Sequence, residues 1–222
     1  MIPYKDLNRT HRFPFATLLL IAFNLAGFGV EILLPETAST DWIYRYALIP
    51  FEFKTGGNLP ISLGPPPPAT IFTSMFLHGG WLHLLGNMLY LWIFGDNVED
   101  RFGRIRFLVF YLLCGAVAGL AQVYSHFDSR LPTLGASGAV AGILASYLVQ
   151  FPRARIAVLV PVFYFLRTFI LPAWLVLGGW ILLQIASLKL QTQGAGGIAL
   201  EAHIGGFLAG LLLTPLFRRK RR

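Results

Sequence analysis

The sequence predicts an all-α membrane protein, a six-transmembrane-helix bundle with both termini cytoplasmic, and three observations carry the prediction. Of 222 residues, 55% are hydrophobic and only 13% charged, with a mean hydropathy of +0.63, outside the range of water-soluble domains. Apolar runs recur at 15–34, 81–94, 107–124, 136–151, 172–188 and 202–217, several near the short limit for crossing a bilayer. Threading six spans through these runs collects the basic residues on one side. Lys5, Arg9, Arg12, Arg101, Arg104, Arg106, Arg153, Arg155, Arg167 and the tail 218–222 fall together, against Arg45, Lys54, Arg130 and Lys189 opposite. Positive charge is retained on the cytoplasmic side, so spans two, four and six enter the membrane from the outer face.

Taken in order, residues 1–14 form a cytoplasmic segment, and the first run lacks a short apolar core with a small-residue cleavage site, so it reads as a retained span. The outer loop 35–69 holds Trp42, Tyr44, Tyr46, Phe51 and Phe53, a density of aromatics that suits the headgroup region. Pro65 to Pro68 read as a stiff polyproline spacer. The stretch 156–170 is apolar enough to pass for another span. Counting it would carry the basic tail outside, so it is expected as an interfacial or re-entrant segment on the cytoplasmic side. No internal repeat divides the chain, and a single domain over 1–222 is expected. The net charge of +8 lies at the ends of apolar runs, which points to the lipid bilayer as the anionic neighbour and not to nucleic acid. One cysteine, Cys114, excludes a disulfide framework and a zinc-type cysteine pair. A multi-pass protein of a prokaryotic plasma membrane is the expected setting.

The chemistry gathers around Gly135-Ala136-Ser137-Gly138. Pro132 disfavours helix upstream, so a helix is expected to begin near Ser137, where unpaired N–H groups and the helix dipole favour a developing anion. Small residues also let membrane helices approach, so packing alone is the competing account of this motif. Ionisable side chains within spans are costly, which makes the few present candidates for function. His83 and Asn87 lie at i and i+4 on span two, close to its outer end, and His78 precedes them at the lip of the span, where it is expected to face water. His203, Gly206 and Gly210 share a face near the outer end of span six. Ser137, His203, His83 and Asn87 therefore share one leaflet and one depth, which packing alone does not account for. A hydroxyl, an imidazole to remove its proton and separate donors for an oxyanion are the parts of nucleophilic acyl transfer. For a third member, Glu201 points away from His203 on its own helix, and Glu31, Glu36 and Asp128 are outer-side acids, so a Ser–His dyad is the expected arrangement.

These motifs resemble those of the rhomboid family of intramembrane serine proteases: His78-x4-His83-x3-Asn87, Gly135-x-Ser137-Gly138, and Ala202-His203 followed by Gly205, Gly206 and Gly210, in the family's order over roughly 70–215. The resemblance implies Ser137 as nucleophile and His203 as general base. It implies His83, Asn87 and the Ser137 backbone N–H as an oxyanion hole, with His78, Gly135 and Gly138 in support. It further implies cleavage of another protein's transmembrane helix near the outer face, with no cofactor and no metal. Two positions depart from the family. Where members often carry an aromatic four residues after the serine, this chain has Ala141, and an adjacent Trp-Arg pair is replaced by Trp42 and Arg45 held apart.

Rival readings are a metal-dependent hydrolase using His78, His83 and His203 as ligands, and a catalytically silent rhomboid-like protein that binds client helices. The first leaves Ser137 idle, and no His-Glu-x-x-His is present. The sequence does not specify the oligomeric state. The topology is checked by reporters fused after Arg222 and inserted within 35–69, which are expected on opposite sides of the membrane; the same side for both would overturn the six-span threading.

Overall fold

The computed structural model describes residues 1–61, 63–190 and 199–219. A strand β1 (Ile2–Asp6) leads into helix α1 (Phe15–Leu33). Three short helices follow, α2 (Glu36–Tyr46), α3 (Pro50–Thr55) and α4 (Pro67–Thr73), then α5 (Trp81–Phe102), α6 (Arg104–Ser125) and α7 (Ser137–Gln150). Strands β2 (Arg155–Val162) and β3 (Phe165–Pro172) precede α8 (Ala173–Leu190) and α9 (Leu200–Phe217). By length and composition α1, α6 and α9 suffice to cross a membrane, whereas α7 and α8 are shorter apolar helices. Helix α5 is long, but its last turns carry Asp96, Glu99, Asp100 and Arg101 and run well past the expected end at 94.

Helix α7 is the centre of the bundle. Its 14 residues extend only about 21 Å, short of the ~30 Å apolar thickness of a bilayer. It can be short because it is enclosed: every residue from Gly138 to Tyr147 is buried, and α5, α6, α8 and α9 all pack on it. The enclosure depends on small residues. A Cβ on Gly206 would collide with the carbonyl oxygen of Gly138, and one on Gly210 with that of Gly142. Gly138 and Gly142 in turn face Ala118 and Cys114 of α6. Backbone therefore packs on backbone along the α7–α9 contact.

The all-α expectation needs correction, because the chain also contains a three-stranded antiparallel sheet in the order β1-β2-β3. The stretch 156–170 lies within the hairpin of this sheet, registered from Arg155 opposite Pro172 to Val162 opposite Phe165. Alternating β-branched residues favour strand here, and Phe163 turns the chain at φ 53. The third strand comes from 1–14, with Ile2 opposite Leu159 and Asp6 opposite Ile156. Asp6 is anchored further, accepting from the Tyr147 hydroxyl (2.6 Å) and the Asn97 amide (2.8 Å). Burial pushes the Asp6 carboxyl above its ordinary value, with the Tyr147 bond opposing the shift. The N-terminal segment and the α7–α8 connection thus lie at one end of α7.

Loop 35–69 is at the other end. Leu48 and Thr133 exchange backbone hydrogen bonds (3.0 and 2.8 Å), and Lys54 meets Asp128 at 2.5 Å, joining this loop to the α6–α7 connection. Much of it is helical. The polyproline spacer also needs correction, since Pro67 and Pro68 form the first turn of α4, where a missing N–H costs nothing. The first turn of α1 has no side-chain cap of its own. Its N–H groups at Ala16 (3.0 Å) and Thr17 (2.8 Å) donate instead to the buried Glu99 carboxylate of α5. Of the basic tail, Arg218 and Arg219 are described and 220–222 lie outside the described residues.

The glycine packing is tested by Gly206→Ala, whose methyl group must displace backbone and should cost about 1–3 kcal/mol. Gly178→Ala on α8, where a Cβ meets nothing, should be neutral or stabilising by up to about 1 kcal/mol. Thermal unfolding in detergent reads both.

Candidate active site

Ser137 is the first residue of α7, so the N–H groups of its first turn have no intrahelical acceptor, and Ala136 before it provides no side-chain cap. What precedes it is a strained turn. Gly135 has φ +120, a conformation that side-chain-bearing residues rarely adopt, and its N–H donates to the Ser74 carbonyl at 2.9 Å. A Cβ at Gly135 would come within 2.6 Å of His83 Nε2 and 3.8 Å of Asn87 Nδ2. The two polar side chains of α5 therefore lie directly against the backbone that delivers Ser137. The nearby Gly138 faces the Ala202 carbonyl, next to His203 in the chain.

His203 is buried, on the turn of α9 whose Ala202 carbonyl faces Gly138. The structure thus draws Ser137, His83, Asn87 and His203 to one end of α7 from three separate helices. Among the described residues Ser137 and His203 are not hydrogen-bonded to each other. Such bonds commonly tighten only when substrate is bound.

His78 differs from its expected place. It is 1% exposed, not water-facing, because its backbone N–H donates to the buried Glu31 carboxylate at 2.9 Å and its ring meets His83 edge to face at 5.1 Å. The Asn87 amide donates to His78 Nε2 at 3.0 Å, while His78 Nδ1 is buried without a partner among the described residues. His78 thus holds the side chain of Asn87 in place. Among the described residues, no three His, Cys, Asp or Glu side chains converge as a metal donor set.

Of the acids considered as orienters of His203, three are engaged elsewhere: Glu31 with His78, Asp128 with Lys54, and Glu201 with His126 at 2.9 Å. The partner of His203 is Gln184 of α8, whose Oε1 lies 2.8 Å from Nδ1. Trp180, one turn earlier, lies with its ring centroid 5.8 Å from the imidazole at an interplanar angle of 34°. Sequence reading passed over Gln184, although a lone amide in the apolar run 172–188 carried the signal that such residues have a role.

Comparison with known proteins bears on the same region. A family model described as Rhomboid domain matches residues 68–220. The chain is 31% identical over 201 residues to Rhomboid protein 1, mitochondrial, of Saccharomyces cerevisiae, covering 87% of this chain and 50% of that protein. It is 34% identical over 141 residues to Presenilin-associated rhomboid-like protein A, mitochondrial, of Danio rerio, covering 62% and 34%. With RHOMBOID-like protein 5 of Arabidopsis thaliana it shares 27% over 148 residues, covering 64% and 42%. The chain spans half or less of the length of these curated relatives. All three are eukaryotic and two are mitochondrial by name, which points away from the prokaryotic plasma membrane expected above.

His78→Ala removes the acceptor for the buried Asn87 amide and should destabilise the protein by about 1–3 kcal/mol, read as lost thermal stability in detergent. A water-facing histidine would change it by less than about 0.5 kcal/mol.

Proposed function

Because this chain belongs to the rhomboid family, we propose that it is an intramembrane serine endopeptidase hydrolysing a peptide bond in or near a transmembrane helix of another membrane protein. The observation that carries the proposal is the convergence at Ser137: a hydroxyl at a helix N-terminus, with His83 and Asn87 against the preceding Gly135 and the Ala202-His203 turn of α9 beside the following Gly138. Family proteins act on transmembrane substrates within the membrane, and the reading follows from applying that chemistry to these residues.

In the proposed reaction the Ser137 hydroxyl oxygen attacks the scissile carbonyl carbon while Nε2 of His203 takes its proton. The carbonyl oxygen becomes an anion facing the Ser137 N–H, the Asn87 amide and His83, at the positive end of the α7 dipole. Collapse of this intermediate breaks the C–N bond, and the imidazolium protonates the departing amine. Water then attacks the acyl-serine, with His203 again taking and returning the proton. No cofactor takes part. Gly135 serves by leaving room for His83, and Gly138 by letting α6 approach at Ala118.

The topology proposed for this single domain is six spans, α1 and α5 to α9, with both termini cytoplasmic. Pairing of β1 with β2 supports it, because it requires an even number of crossings between the N-terminal segment and the α7–α8 connection. The sheet, including 156–170, then lies on the cytoplasmic side and loop 35–69 on the outer side with Ser137.

A serine-directed fluorophosphonate probe should label the protein in a Ser137-dependent manner that chelators do not affect, and the purified protein should cut a model transmembrane substrate. Ser137→Ala and His203→Ala should each abolish turnover, and together do no further harm, as residues acting as a unit behave. Asn87→Ala removes one oxyanion donor and should lower kcat by about 10²–10³-fold while leaving residual activity. A folded protein that neither labels nor cleaves would instead be a silent client-binding relative, and cleavage restored by zinc after chelation would favour the metal reading.

A further inference from the structure

We infer that Gln184 and Trp180, successive turns of α8, are positioning residues for His203: Gln184 selects the imidazole tautomer and Trp180 holds the plane of the ring. The inference rests on the reading of His203 as the general base. It begins from a gap, since Ala141 is fully buried on α7 and its side chain ends at Cβ, so one turn below Ser137 α7 offers no ring on which an imidazole could stack. The supporting ring comes from another helix. Trp180 lies 5.8 Å from His203 at 34° and 6.3 Å from Phe207 at 32°, so one indole lies along two residues a turn apart on α9.

The hydrogen bond supplies what stacking cannot. An amide oxygen has lone pairs and no proton, so the 2.8 Å contact from Gln184 Oε1 requires the hydrogen to be on Nδ1 of His203. In a neutral imidazole that leaves Nε2 bare, the nitrogen able to take a proton from Ser137. With the opposite tautomer, Nε2 carries a hydrogen and cannot act as a base. A neutral amide performs this selection without placing an unpaired carboxylate in an apolar region, where a charge is costly. The face of α8 is arranged for it: Leu177 and Trp180, Ile181 and Gln184 are turned inward, whereas Leu182 and Leu183 are exposed.

The test pairs spectroscopy with kinetics on the full chain in detergent. In protein labelled with ¹⁵N-histidine, the His203 signals, identified by their loss in His203→Ala, should show hydrogen on Nδ1. Gln184→Leu, or Gln184→Met if the former does not fold, should shift the population toward hydrogen on Nε2. It should lower kcat about 10- to 100-fold, by analogy with the loss of the outer hydrogen-bond partner of a metal-ligating histidine, and leave KM within about threefold, since no substrate contact is removed. Gln184→Glu keeps an acceptor and should restore both the tautomer and most of kcat. Trp180→Phe should retain kcat where Trp180→Ala loses it. Hydrogen on Nε2 in the unaltered protein, or a tautomer indifferent to Gln184→Leu, overturns the inference even if the protein cleaves substrate. Loss of all cleavage and labelling in the unaltered protein would overturn the protease reading instead, while the tautomer would still be measured.

Discussion

The contact on which the rest of this structure depends is the backbone-to-backbone approach of α7 and α9. Lipid-soluble helices gain little from hydrophobic association in a bilayer, where the surroundings are already apolar, so close packing must supply the attraction. Gly138, Gly142, Gly206 and Gly210 remove the side chains that would keep the two backbones apart. With α6 contributing Ala118 and Cys114 against the same glycines, α7 is shielded along its length and can be shorter than a bilayer is thick. The helix that carries Ser137 is then also enclosed by packed neighbours, which suits a site needing ångström-level placement.

Polar contacts do a complementary task at the two ends of the bundle. At the sheet end, Asp6 ties β1 to α5 and α7, and Glu99 completes the first turn of α1. At the Ser137 end, the hydrogen bond that the Gly135 N–H donates to the Ser74 carbonyl and the pairing of Leu48 with Thr133 hold the approach to Gly135 in its unusual conformation. Each of these partners is distant in sequence from the group it satisfies. A buried polar atom left unpaired in an apolar setting costs more than a bond contributes, so such contacts define the fold chiefly by penalising its alternatives.

The histidines show how environment divides one chemistry into different roles. His78 is enclosed and bonded to Asn87, so it acts on the side chain beside it. His83 lies against the Gly135 backbone, and His203 is held between Gln184 and Trp180 on α8. Only the last combines a buried imidazole with a defined acceptor at Nδ1, which is why the proposed base falls there.

Much of this was legible in the chain itself. Composition and the spacing of apolar runs identified a membrane protein, and the motifs around His83, Ser137 and His203 carried the family, because glycine and a few intramembrane polar residues are costly enough to stand out in an apolar background. The start of α7 at Ser137 followed from Pro132 and the small residues after it. Tertiary structure alone decided the rest. The sheet depends on β1 meeting β2 across roughly 150 residues, a pairing that strand periodicity in either segment cannot reveal. The burial of His78 depends on Glu31, and the partners of His203 on the way α8 turns Gln184 and Trp180 toward α9. Local sequence determines which residues are unusual for their surroundings; which groups satisfy them is settled only when packing brings distant helices within hydrogen-bonding range.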